Sequence, residues 1–332
     1  MLEIDGAGGG GQVLRSALGL SALTGDAVRV ENVRQSRERP GLRPQHLAAV
    51  RAVAALCDAH VEGASEGSET LTFEPGPPTD DPVAVTVGTA GSVALVFDAT
   101  LPLAAEHPVT VTATGGTHVK WAPTVDYVRH VRAPLFARFG VALDLTVERA
   151  GFYPAGGGRA RFDARAPSLA PVALTERGRL ARLAVHSVAS ESLADADVAG
   201  RQADAARAAL TDHPVVAQTV RSVPSDSPGS AVLVRAEYEH TVAGFAALGE
   251  RGKPAEAVAG DAVAAFEAFH DGEGAVDPHM ADQVMLPLAL AGGRVRIPRV
   301  TDHVRTNLAV VRAFGFDLDL EPGPTLVASP GP

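Results

Sequence analysis

The sequence predicts an α/β protein made of three repeats of a small sheet with two helices, with a smaller α/β unit inserted into the third. Two observations in the 332 residues predict it. Helix signatures return in fixed order along the chain, with a Val-Arg-Ala triplet at Val50-Arg51-Ala52, Val131-Arg132-Ala133 and Val311-Arg312-Ala313 in the later helix of each unit. Such recurrence is the mark of a repeat architecture. The third unit is then interrupted, because its helices come only after residue 276. The predicted division is residues 1–175 and 273–332 for the repeats and 176–272 for the insertion.

Each element follows from local signals. Gly9-Gly10-Gly11-Gln12 runs into the apolar helical stretch Val13–Leu23, and strand Val28–Val33 alternates branched residues. Pro44-Gln45-His46-Leu47 starts the second helix, and Thr70–Phe73 is a strand. The second unit repeats the order: strand Val83–Val87, Gly88–Ser92 into helix Val93–Ala104, strand Val109–Ala113, Pro123–Asp126 into the triplet helix, and strand Val141–Val147. The third unit is expected to open with a strand near Gly151–Phe162, including Arg159–Phe162. It resumes with Ala281-Asp282-Gln283 into Val284–Ala291, strand Arg294–Ile297, and the helix that starts at Asp302-His303. The insertion offers strand Leu180–Ser187, helix Ala194–Leu210, strand Ala231–Tyr238 and helix Ala255–His270, with a turn-rich loop at Ser222–Ser230.

Composition narrows the functional classes. With 46% hydrophobic and 20% charged residues, the chain can bury a core and is not disordered. Lys+Arg 29 against Asp+Glu 39 gives a net charge of -10, which excludes a surface that is basic throughout. Lysine occurs only at Lys120 and Lys253, so nearly all positive charge is guanidinium, whose planar fork suits phosphate. The single cysteine, Cys57, excludes an intramolecular disulfide or a cysteine metal cluster. No secretory pattern or membrane-length apolar run is present, so the expectation is a soluble, cytoplasmic protein.

Four constellations carry chemistry. Gly8–Gly11 before a helix can cradle phosphate, and a plain strand–helix turn is the competing reading. Gly151-Phe152-Tyr153-Pro154-Ala155-Gly156-Gly157-Gly158 reads as a loop that approaches a ligand closely, or as a bulged hairpin. Arg15, Arg34, Arg37, Arg39, Arg43 and Gln45 gather in the first unit. A charged loop is usually only solvated, but Arg34–Arg43 holds a single acid, Glu38, in an acidic chain, which favours an anion patch. His303 lies at a helix start, where the helix dipole keeps imidazole neutral and nucleophilic; the plainer reading is an exposed polar residue without a task.

Together these motifs make the sequence resemble the RNA 3′-terminal phosphate cyclase family. The matching pieces are Asp5-Gly6, Gly9-Gly10-Gly11-Gln12-Val13-Leu14-Arg15, Arg34, Arg37, Pro40-Gly41-Leu42, Gln45-His46-Leu47, Gly115-Gly116-Thr117, the Phe152-Tyr153-Pro154 and triple-glycine block, Met280-Ala281-Asp282-Gln283, Leu286-Pro287, and His303 with Thr306-Asn307. The resemblance implies three repeats like the C-terminal domain of translation initiation factor three, with a thioredoxin-like insertion. It implies an ATP-dependent enzyme that converts an RNA 3′-phosphate end to a 2′,3′-cyclic phosphate through a covalent histidine–AMP and an RNA-adenylate, releasing AMP and diphosphate. His303 falls at the nucleophile; Phe245, His279, Asp282, Gln283, Gly9, Gly10, Gly11 and Arg15 fall on the ATP side; Arg34, Arg37 and Gln45 face the RNA phosphate. The implied cofactors are ATP and a divalent cation, Mg²⁺ or Mn²⁺. Four positions depart from the family pattern: Gly8 stands where a metal-binding Glu is expected, His279 for Tyr, Asp98 for Gln, and His118 for an acid. The competing readings are a catalytically silent relative that acts in ribosome assembly and an enolpyruvyl transferase.

Overall fold

The structure, a computed structural model, describes residues 1–331. Strand β1 (Leu2–Asp5) leads through helix α1 (Gly11–Thr24) to β2 (Val28–Glu31), parallel to β1. Helix α2 (Pro44–Leu56) then precedes β3 (His60–Glu62) and β4 (Leu71–Glu74), giving a sheet of order β1-β2-β4-β3. A second sheet comes next with β5 (Val83–Thr86), α3 (Val93–Thr100), β6 (Val109–Gly115), the helical run α4 (Val125–Tyr127), a π turn Val128–Arg132 and α5 (Ala133–Ala137), then β7 (Ala142–Arg149) and β8 (Gly158–Arg165). Its order is β5-β6-β8-β7, with the same polarities.

The opening strand of the third unit differs from the expected one. Residues 158–165 are the last strand of the second sheet, paired with β6 and β7. The third sheet opens instead with the short β9 (Val172–Leu174), three residues that no periodicity singles out. The chain then builds a separate sheet from β10 (Leu180–Ser190), α6 (Val198–Ala209), β11 (Val215–Val223), β12 (Ser230–Tyr238), β13 (Val242–Leu248) and α7 (Ala255–His270), in order β11-β10-β12-β13. It returns through α8 (Met280–Gln283) and α9 (Met285–Ala291) to β14 (Gly293–Arg296), α10 (Asp302–Ala313), β15 (Leu318–Glu321) and β16 (Thr325–Ala328). β14 lies parallel to β9, and the sheet order is β15-β16-β14-β9.

In the sheet of β10 to β13, Leu183, Val185, Val232, Val234 and Phe245 face α6 and α7 in a core of their own. The helices of the other three sheets pack on one another, α1 against α2, α3 and α10 and α2 against α3, and share one larger core. Arg177 closes the junction: its guanidinium donates to the carbonyls of Phe269 and His270 at 2.5 Å and lies 4.7 Å over the Phe269 ring. The chain therefore leaves for the fourth sheet and returns from it at one point. Among the described residues no helix is long and apolar enough to cross a membrane.

Candidate active site

The packing of α1 on α10 brings residues 291 positions apart into register. Thr301 caps α10, its hydroxyl accepting the Val304 N–H at 3.2 Å, so the helix starts cleanly at Asp302. His303, on the first turn, is exposed and has Nδ1 2.6 Å from Gln12 Oε1. One turn further along both helices, Ser16 donates to Asn307 Oδ1 at 2.6 Å. The spacing of four residues on each helix puts both contacts on one seam. Asn307 also donates from Nδ2 to the Asp282 carbonyl at 3.1 Å, fixing the α8 loop to the same seam. With Gln12 Oε1 as acceptor, His303 Nδ1 carries the proton and Nε2 keeps its lone pair.

The glycine loop lies against this seam. A Cβ at Gly8 or Gly9 would stand 3.7 and 3.8 Å from the Thr306 side chain. At Gly11 a Cβ would fall 2.3 Å from His46 Nε2, so only glycine permits α1 to start so close to α2. His46 is buried and accepts the Arg43 N–H on Nδ1 at 3.0 Å, which leaves the proton on Nε2. Burial, then the charges of Arg15, Arg34 and Arg43, push its pKa down to about 3. The native state therefore refuses a proton that the unfolded chain accepts below the ordinary value of 6.5, and stability falls as pH drops from there toward 3. His46→Gln is expected to flatten this part of a stability–pH curve measured by urea unfolding, by at most about 5 kcal/mol across the window.

The acidic side of the site comes from α8 and α3. Asp282 is half-buried; burial, and next to it the charge of Asp98, raise its pKa, while His303 and Arg15 pull the other way. Gln283 Oε1 accepts from Arg132 Nε at 2.8 Å and Nη2 at 2.5 Å, and Arg132 Nη1 pairs with Asp98. Arg132 is the largest fully buried side chain. Arg15 feels Asp98 and Asp282 but has no ion pair within reach among the described residues, so its donors remain available. His279 is exposed, its ring 6.4 Å from Tyr127 and edge-on.

The expected residues do not all stand as anticipated. Phe245 is buried: strand alternation in β13 turns it into the small core between Phe266 and Phe269, at 5.9 and 5.4 Å. It is the neighbouring Gly244 N–H that reaches the site's framework, donating to Asp277 at 3.2 Å. Arg34, in a left-handed conformation (φ 56), donates from Nη1 to the carbonyls of Arg39 and Gly41, so this terminal nitrogen shapes the arginine loop. Gln45 Nε2 donates to the Ser92 carbonyl at 2.9 Å, which joins the first sheet's helix to the second's. Arg37 is exposed and its Nη2 lies 3.3 Å from the Cβ position of Gly10, beside the glycine loop.

Sequence reasoning left Gln12, Ser16, Arg132, His46 and Asp277 without roles. Asp277 is fully buried and accepts from the Tyr127 hydroxyl and from the N–H groups of His279 and Met280, so it anchors the start of α8. The available signal was Gln12 itself, polar at the start of an apolar helix. For a metal, the described residues hold no group of three or more His, Cys, Asp or Glu side chains. Asp5 is engaged by Ala7 N–H and Asn32, and Asp98 by Arg132.

A family model described as RNA 3′-terminal phosphate cyclase matches residues 7–318. A protein of that name from Halobacterium salinarum is 46% identical over 334 residues, covering 97% of each chain. Its namesake from Methylococcus capsulatus is 44% identical over 95% of this chain and 91% of its own. The one from Pyrobaculum neutrophilum is 42% identical over 94% and 92%.

Proposed function

The chain belongs to the RNA 3′-terminal phosphate cyclase family, and we propose that it carries out the family's ATP-dependent cyclisation with His303 as the group that receives AMP. The observation that carries this reading is the 2.6 Å contact between His303 Nδ1 and Gln12 Oε1. It selects the tautomer with a nucleophilic Nε2 and holds the ring beside the glycine loop. His303 Nε2 attacks the α-phosphorus of ATP; an N–P bond forms and the P–O bond to diphosphate breaks. The RNA 3′-phosphate then takes the AMP and frees the imidazole. Finally the vicinal 2′-hydroxyl attacks the activated phosphorus, closes the ring and expels AMP. Activation is needed because a phosphate monoester has no good leaving group of its own.

In this reading Arg15 and the N–H groups of Gly9, Gly10 and Gly11 hold the triphosphate at the start of α1. His279 lies against the base, and Asp282 and Gln283 line the nucleotide side. Arg37 takes the RNA 3′-phosphate. Gln45 and Arg34 shape that side, each with one group already engaged by the backbone. The three sheets of like order are read as repeats resembling the C-terminal domain of initiation factor three, and residues 176–272 as a thioredoxin-like insertion. The entry and exit that meet at Arg177 support that division. The reading further assigns the protein to the cytoplasm. The family assignment displaces the enolpyruvyl transferase reading, and the retained, oriented His303 favours an active enzyme over a silent relative.

Assays that track labelled AMP on the protein and cyclised RNA separately test the assignment. Arg37→Ala is expected to slow transfer to RNA 3′-phosphate by roughly 1.5–3 kcal/mol, the loss of a charged hydrogen bond, with little effect on the protein–AMP adduct. Equal loss in both steps would move Arg37 to the ATP side.

The divalent cation, Mg²⁺ or Mn²⁺, is proposed to arrive with the triphosphate, not at a protein cage. Position 8 has room for a side chain, since a Cβ there meets only Thr306 at 3.7 Å. Gly8→Glu adds an oxygen ligand of the kind such ions prefer. The variant is expected to reach half-maximal adduct formation at a lower Mg²⁺ concentration than the parent. An unchanged or higher requirement would show that position 8 does not face the metal–nucleotide.

A further inference from the structure

Strand alternation gives the sheet of β10 to β13 a second face. Leu183 and Val185 point into its core, so Arg182, Ala184 and His186 point the other way. On the neighbouring strands Arg235 and Ala217 stand opposite Ala184. The run from the π turn into α5 lies over this face with Arg129, His130 and Pro134. Between them is a cavity of about 290 Å³, lined by those residues and Val216, with no carboxylate in its wall. In a chain of net charge -10, three arginines and two histidines around one cavity are a marked local reversal of sign.

The arginines are anchored but not exhausted. Arg129 donates from Nε and Nη2 to the Leu145 carbonyl, at 3.3 and 2.7 Å. Arg182 donates from Nε and Nη2 to Glu237, both at 2.9 Å. Arg235 donates from Nε to the His130 carbonyl at 2.8 Å and from Nη1 to Glu237 at 2.9 Å. Each keeps one terminal nitrogen, Arg129 Nη1, Arg182 Nη1 and Arg235 Nη2, without a partner among the described residues. Glu237 balances only one of the three charges. Guanidinium groups held by one edge, with the other edge free, are preorganised for phosphate oxygens. The cavity shares no residue with the His303 seam.

We propose that this cavity is a second binding site, for a phosphate-bearing anion: a free phosphate or diphosphate, or an internal phosphate of an RNA strand.

The histidines give the site a pH response. His130 and His186 stack at 4.0 Å with rings 6° apart. Burial leads in depressing both; each ring also opposes the cations around it, and His186 falls to about 4. The groups that face the pair are Arg129 on its own turn, Asp126 on α4, Arg221 on β11 and Arg235 on β12, of which only Asp126 favours protonation. A bound anion raises both imidazole pKa values, so binding takes up protons and tightens as pH falls toward the ordinary histidine range.

The test monitors the side-chain ¹H–¹⁵N resonances of His130 and His186 in the full chain, at constant ionic strength, during titration with diphosphate. The site predicts saturable shifts of both rings. Arg182→Gln, a change on an exposed side chain, and Arg129→Gln should each weaken the titration roughly tenfold or more. His303→Ala should leave it unchanged. No saturable shift, or equal titration of the parent and both arginine variants, overturns the proposal. A parallel titration with a 3′-phosphorylated RNA oligonucleotide separates the sources. Shifts of the same rings, weakened by Arg182→Gln, identify an RNA phosphate as the occupant; shifts with diphosphate alone identify the free anion. Because the readout is local and does not need turnover, its failure would leave the role of His303 untouched.

Discussion

His303→Ala is expected to abolish labelling of the protein by α-labelled ATP and to reduce cyclised product by at least on the order of 10³-fold, the scale of losing a covalent nucleophile. No other imidazole near the glycine loop can replace it. His46 Nδ1 is occupied by the Arg43 N–H, and its protonated Nε2 faces Gly11. The thermal midpoint should stay close to that of the parent, because His303 is exposed and its one hydrogen bond is to Gln12. Labelled mutant protein of normal stability would remove the assignment.

The largest effect on stability is expected from Arg132→Met. Arg132 is 2% exposed and ties Asp98 of α3 to Gln283 of α8. Methionine fills much of the volume but leaves the Asp98 carboxylate beside an apolar side chain. Breaking a buried pair on one side costs about 3–5 kcal/mol. For a chain of this size that lowers the melting temperature by on the order of 10 °C. Arg132→Lys keeps the charge but loses the fork that reaches Asp98 and Gln283 together, and should fall between the two. A Met variant with unchanged melting would show that the network adds nothing to the fold.

Arg132 also marks where the sequence stopped being readable. The Val-Arg-Ala triplet located the later helix of each unit, yet its arginine has two different fates. Arg51 and Arg312 are exposed, while Arg132 is buried. The middle helix differs in carrying a π turn at Val128–Arg132, which adds a residue to one turn and rotates the rest of the helix. No spacing in the triplet announces that. The long alternating strands and the helix Ala255–His270 were legible because burial on one face imposes a period. The missed strands lack one or are too short to show it. β11 is an edge strand with no buried residue, β9 is three residues long, and β15 and β16 alternate over only four residues each. The candidate site was chosen from motifs, because glycines, arginines and a helix-start histidine are chemical choices. The motifs could not give the partners, Gln12 for His303 and Ser16 for Asn307, which depend on how α1 meets α10. Phe245 is another case: its side chain is buried in the small core, and the neighbouring Gly244 N–H is the group that reaches Asp277.

Locating the adduct decides whether His303 Nε2 takes AMP from ATP. The protein is incubated with ATP and Mg²⁺, digested under alkaline conditions that preserve a phosphoramidate, and sequenced by fragmentation mass spectrometry. AMP is expected on the peptide containing His303, lost on mild acid treatment and discharged by RNA bearing a 3′-phosphate. AMP on any other residue, or an adduct that acid does not release, would contradict it.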